Sequence, residues 1–432
     1  MDKIRKNSRK VENAWALFDW ANSVYSLVIS TAIFPPYFIK ITHEYIPVLG
    51  QKVSNSALYA FAVTISYLVI AIITPLLSGI ADAKGRRKYY LKRFTLLGAL
   101  SCMVLFYFDS SSALWLGLGA FVLATIGHAG SLVFYNAYLP EIVSEERMDK
   151  VSAKGFAWGY IGSVLLLILN LWMIMKPATF GLPEGTLAIR VSFLLVGLWW
   201  FLFSQITFKY LPHNTPADSN QGNLMMKGFK QLKLVWAEVK TSADIKYFLF
   251  SFLFFSAGVQ TVIFLASAFA EKVLHFETNE LIFIILILQI VAIFGAYLFA
   301  WVSKRLGSKT SLIIMILIWI GICFAGYFVQ SKLMFYYIAI AVGSVLGGIQ
   351  SQARSAYAKL VPQDTLEMTS YFSFLDFMYK MSIILGTLAF GIIDQITGNM
   401  RYSILALAMF FVIGLLFLLP VKIRHIKQIP AR

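Results

Sequence analysis

Apolar runs long enough to cross a bilayer recur along this 432-residue chain, and few folds are open to a chain built from them. A bilayer core takes about twenty apolar helical residues and leaves no backbone polar group unpaired, so each run is read as a helix. The runs are Asn13 to Ile41, Ala57 to Ile80, Tyr90 to Phe108, Leu114 to Leu139, Ser152 to Met175 and Ala188 to Tyr210. Six more follow: Tyr247 to Ala270, Leu281 to Ser303, Ser311 to Val329, Phe335 to Tyr357, Tyr371 to Ile393 and Tyr402 to Leu419. Charged residues make up 13% of the chain, about half their share in soluble domains, which excludes soluble, disordered and collagenous classes. The expectation is an all-α membrane protein with 12 transmembrane helices.

The net charge of +16 would suggest nucleic acid as a partner in a soluble protein, but its distribution reads otherwise. With the N-terminus inside, 29 of the 37 Lys and Arg fall in cytoplasmic segments and 7 in outside loops, leaving Lys380 within a span. Basic residues mark cytoplasmic loops, so both termini are expected in the cytoplasm of a bacterial-type inner membrane, with no nucleic-acid role. Residues 1–12 resemble the start of a signal peptide, but the run that follows is span-length and polar in places, so no cleavage is expected. Cys102 and Cys323 lie inside apolar runs and are read as packing residues.

Two landmarks repeat at one offset. Gly85 and Gly307 are 222 residues apart, as are Pro140 and Pro362. Two six-helix halves follow, and an even number of spans per half makes them parallel repeats. The expected organisation is a cytoplasmic tail (1–12), an N-terminal bundle (13–210), a linker (211–246), a C-terminal bundle (247–419) and a second tail (420–432). In the linker Phe229, Leu232, Trp236 and Val239 recur at helical spacing, apart from Lys230, Lys233 and Lys240, a pattern that predicts an amphipathic helix on an anionic leaflet.

The loop after the second run, Ser78 to Lys88, sets Asp82 beside Gly85, Arg86 and Arg87. The carboxylate can accept charge-assisted hydrogen bonds from either arginine or from a helix N-terminus, and the glycine permits a sharp turn. With Glu141 these residues are read as a gate. The loop resembles the signature of the major facilitator superfamily, which implies the major facilitator fold and alternating access. In the echo near Gly307, Lys304 stands at the aspartate position, so a weaker second latch is expected and the first half should dominate gating.

Further segments narrow the resemblance: Trp15 to Ser23, Phe134 to Glu141, Gly155 to Gly162, Gly258 to Thr261 and Gly347 to Gln350. Together they look like the autophagy-related vacuolar effluxer-like branch, from about Trp15 to Leu419. That resemblance implies secondary transport, with amino-acid efflux as the associated role. Ala257 and Ala353 stand where the branch carries an aspartate and a serine, so an acid of the seventh span is missing here.

Ionisable residues within spans are costly and mark function. Asp376 and Lys380, four apart on one helix face, are either a switchable pair facing the pathway or a static packing pair. Asp19 can bind a cation, take a proton or sit in the interface, with Asn22 deeper. His128 is read as a proton sensor or as a neutral link between helices. Asn136, Gln260, Gln350 and Arg354 are candidate cavity contacts, the last three because the seventh and tenth spans line the pathway in the resembled superfamily. Asn170, Gln205 and Gln289 are expected to bond between helices.

No metal-protease, serine-hydrolase, phosphate-loop or Cys-x-x-Cys pattern is present, so neither an enzyme nor a metal or cofactor site is expected. The reading is a monomeric secondary active transporter of small polar organic solutes, including amino acids or related metabolites, with the proton as coupling ion and membrane lipids as surroundings. The alternative is a lipid or amphiphile flippase without ion coupling.

Overall fold

The computed structural model describes residues 6–48, 50–216, 224–363, 365–397 and 400–423. Residues 1–5 and 424–432 of the expected tails, and Asn220 and Gln221 of the expected linker, lie outside the described residues. Twelve helices among the described residues are long and apolar enough to span a membrane. In the first half they are Arg9–Ile41, Asn55–Lys84, Arg87–Tyr107, Ser111–Ile142, Glu145–Met175 and Leu187–Tyr210. In the second half they are Ala243–Leu274, Thr278–Leu306, Ser308–Phe328, Lys332–Leu360, Met368–Thr397 and Met400–Leu418. Large side chains such as Phe294, 70% exposed, and Met409, 65% exposed, stud the outer surface, which only a lipid solvent makes favourable.

Several helices outrun their apolar stretches. The fifth begins at Glu145, two turns before Ser152, with Glu145 and Glu146 in its first turn, where carboxylates favour the helix dipole. The first span is α-helical over Arg9–Val24, π-helical over Tyr25–Ile33 and α-helical again over Phe34–Ile41. Pro35 and Pro36 carry no amide hydrogen for the ladder, and the wider winding lets the Phe34 N–H donate to Ile29 O, five residues back. A hairpin absent from the sequence reading, β1 Tyr45–Val48 and β2 Gln51–Ser54, joins the first two spans.

Each half is a six-helix bundle. The fifth span packs on the eighth and tenth, and the second on the eleventh, so the halves meet at two places related by the repeat. The face carrying the central linker is called the linker face and the one carrying the hairpin the far face. The linker contains a helix, Leu224–Thr241, which lies against the second span.

Candidate functional site

Of the residues read as a gate, Asp82, Gly85, Arg86 and Arg87 lie at the end of the second span and the start of the third. Gly85 adopts the left-handed conformation (φ 60°) that stops the second span, and Arg87 starts the next. Asp82, fully buried, thereby faces the N-terminus of the eleventh span. It accepts the Ser370 N–H at 2.7 Å and the Thr369 N–H at 3.2 Å, together with both hydroxyls at 2.8 and 2.5 Å. Unpaired amides and the positive end of the helix dipole favour a carboxylate there. Arg87 completes the cluster, 3.3 Å from Asp82 and 2.5 Å from Glu141, with its Nε donating to Thr369 Oγ1 at 2.7 Å. Arg86 is exposed; of the two arginines Arg87 is the one paired with Asp82.

A second cluster closes the related contact, and the sequence reading missed its acid. Asp149, in the second turn of the fifth span and 6% exposed, accepts Ser303 Oγ at 2.7 Å, Ser308 Oγ at 3.3 Å, Lys359 Nζ at 2.6 Å and the Ser355 hydroxyl. Adding the repeat offset to Asp149 gives position 371, beside Ser370. The two latches therefore exchange parts: acid on the loop and hydroxyls on the facing helix in one, hydroxyls at the loop and acid on the facing helix in the other. Lys304 at the aspartate position does not leave the second latch without a carboxylate, because Asp149 supplies one from across the interface.

Deeper in, Arg354 of the tenth span crosses into the first half. Its Nη1 lies 3.1 Å from Asp19 Oδ2 and 3.3 Å from Asn136 Oδ1, and its other nitrogens donate to Ser152 Oγ and O at 2.9 and 2.8 Å. The guanidinium sits over Trp15 at 4.6 Å and Phe156 at 4.3 Å. Tyr135 donates to the same Asp19 oxygen at 2.8 Å. Gly155 makes this approach possible, since a Cβ there would lie 2.9 Å from Arg354 Nη2.

Above this floor a cavity of about 410 Å³ lies between the halves. Asp19, Asn22, His128, Asn136, Gln260, Gln350, Arg354, Asp376 and Lys380 all line it. Asp82, Gly85, Arg86, Arg87 and Glu141 do not; they lie at the linker face. Asp376 and Lys380 form an ion pair within the eleventh span, and the ammonium also lies 3.4 Å from Thr74 Oγ1 of the second span. Tyr160 donates to Gln350 Oε1 across the halves at 2.8 Å. Four lining groups carry a buried atom with no hydrogen-bond partner: Asn22 Nδ2, His128 Nδ1, Ser163 Oγ and Gln289 Oε1. His128 packs against Tyr25, 5.0 Å between ring centroids. The expected interhelical bonds of the three amides are not formed as read: Asn170 is unpaired, Gln289 Oε1 has no partner and Gln205 donates to Phe201 O in its own helix. Among the described residues no group of three or more His, Cys, Asp or Glu is arranged to hold a metal.

The family model described as "Vacuole effluxer Atg22 like" matches residues 7–428. An uncharacterised MFS-type transporter of Bacillus subtilis, YxiO, is 31% identical, covering 96% of this chain and 95% of its own. Autophagy-related protein 22 of Kluyveromyces lactis is 26% identical over 84% of this chain and 78% of its own. Among solved structures, the Escherichia coli fucose:proton symporter superposes with a TM-score of 0.69 at 14% identity, covering 96% of this chain and 98% of the symporter; that likeness concerns the fold. The expected bacterial-type inner membrane is corrected by the fungal relatives of the same name and by a family description that names the vacuole. What holds is a multi-pass integral membrane protein.

Proposed function

We propose that this chain, which belongs to the Atg22-like vacuole effluxer family, moves small polar organic solutes by proton-coupled alternating access of its two halves. It is a transporter of the major facilitator fold. The observation that carries the reading is the Asp376–Lys380 pair lining a cavity between the halves, above an inter-half seal at Arg354 and Asp19. An ion pair in a low-dielectric site holds its partners strongly, so a proton on Asp376, or a charged solute beside either partner, releases the other. Release of Lys380 toward Thr74 ties that event to the contact between second and eleventh spans. A proton as coupling ion is further supported by the fold shared with a fucose:proton symporter.

Amino acids or related metabolites are the proposed solutes, carried by a monomer. Asn22, His128 and Ser163 offer unpaired polar atoms at the wall, which is what a hydrogen-bonding solute requires. Phe252, Phe255, Val259 and Ile263 make the facing wall apolar, and this favours a second reading, an uncoupled flippase for amphiphiles. Proteoliposomes decide between them. Accumulation of labelled amino acids and small metabolites that requires an imposed pH gradient supports the first; no uptake from the pool, with labelled lipid crossing the bilayer, supports the second.

A further inference from the structure

The linker helix Leu224–Thr241 joins the two halves beside the Asp82 latch. Its Gly228 lies against the last turns of the second span, where a Cβ would be 2.7 Å from Ile80, and Gln231, Val235 and Val239 are buried on the same side. On the second half, Gln231 Nε2 donates to Glu367 Oε1 at 2.6 Å and the Tyr371 hydroxyl donates to Glu238. These partners bracket Thr369 and Ser370, the two residues that hold Asp82. The latch can open only if this helix shifts on one half or the other.

Other side chains of the helix face outward. Phe229 is 58% exposed, and Trp236, 40% exposed, stacks on Phe374 at 5.3 Å, two turns into the eleventh span. Lys230, Lys233 and Lys240 are exposed on the adjoining flank. Aromatic rings directed along a span toward the bilayer, edged by lysines at headgroup level, match an interfacial helix on an anionic surface. We infer that this face of the linker helix docks on anionic phospholipid headgroups, and that the docking holds the Asp82 latch closed. Lipid charge at the linker face then biases the gate: each lysine near an anionic surface adds attraction that salt screens.

The inference rests on the rocking of the two halves, and the test separates the two. The full chain, spin-labelled at Lys209→Cys and Leu419→Cys on the linker-face ends of the sixth and twelfth spans, is reconstituted in phosphatidylcholine with or without phosphatidylglycerol. Cys102 and Cys323 are buried, which directs the labels to the introduced thiols. Electron–electron resonance should find the longer, open separation about tenfold rarer with phosphatidylglycerol. A triple Lys230→Gln, Lys233→Gln, Lys240→Gln variant should give the same distances in both membranes, and high salt should make the unsubstituted linker behave like it. Identical distances in both membranes, or a triple variant that responds in full, overturns the docking while Asp82→Asn still lengthens the separation. If Asp82→Asn also changes nothing, the rocking reading falls with it.

Discussion

Arg354 and Asp19, 335 residues apart in sequence, meet at 3.1 Å in a buried ion pair across the two halves. Every guanidinium nitrogen of Arg354 has an acceptor, and removing one partner of such a pair leaves an unpaired buried charge worth about 3 to 5 kcal/mol. In the proposed rocking of the two halves the pair parts when the linker face opens, so that loss falls on the closed state. Arg354→Gln is expected to move the population toward the linker-face-open state, and so is Asp19→Asn. The double variant should be less perturbed than the sum of the singles. Spin-label distances at the linker-face ends of the sixth and twelfth spans check this; strict additivity would remove the pair from the seal.

Asp82 and Asp149 occupy equivalent contacts with acid and hydroxyl exchanged, so their substitutions should act alike. Asp82→Asn is expected to hold more of the population open at the linker face and so lower transport turnover while solute binding is retained, and Asp149→Asn to do so within a factor of about three. Comparing solute binding with transport turnover tests it. A wild-type rate for Asp149→Asn would leave the first latch as the dominant gate, as the sequence alone suggests.

The twelve spans were legible because bilayer thickness imposes a length and a composition on each, and the Asp82 loop was legible because acid, glycine and arginine crowd within a few residues. Asp149 was not: among Glu145, Glu146, Arg147 and Lys150 it reads as one more interfacial charge, and the 222-residue offset relates it to Ser370 only once the contacts of Asp82 are known. The π-helical Tyr25–Ile33 left no compositional mark beyond Pro35 and Pro36, since its ladder differs by one residue per turn. Nor did the hairpin, whose four-residue strands include Pro47. Arg354 was marked as a cavity contact but not as an inter-half tie, because its partners Asp19 and Ser152 lie in the other half, in spans whose register against the tenth no local pattern encodes.

For the cavity pair, Asp376→Asn should abolish accumulation against a gradient while leaving solute exchange. Without its ammonium partner, Asp376 keeps a buried charge, so Lys380→Ala should transport less than the double replacement. Counterflow and gradient-driven uptake in proteoliposomes measure both. Equal activity of the three variants with the unsubstituted chain would make the pair a packing feature.

Gly155 gives the sharpest test of the seal, because two effects of known sign oppose there. Alanine inside a helix gains about 1 kcal/mol over glycine, so at an indifferent site Gly155→Ala would stabilise the protein. Here the new Cβ meets the Asp19 carboxylate and falls 2.9 Å from Arg354 Nη2 and 3.1 Å from the Trp15 ring, an overpacking that costs about 1 to 3 kcal/mol. The contacts with Asp19 and Trp15 lie within the first half and persist in either state, but the part of the cost that falls on Arg354 exists only while it is docked, so that part should appear as a larger open fraction at the linker face, with the fold intact. Thermal unfolding in detergent and the inter-half distance are the two readings. A higher unfolding temperature with an unchanged open fraction would mean that Arg354 yields to the methyl group freely and that its docking does not close the seal.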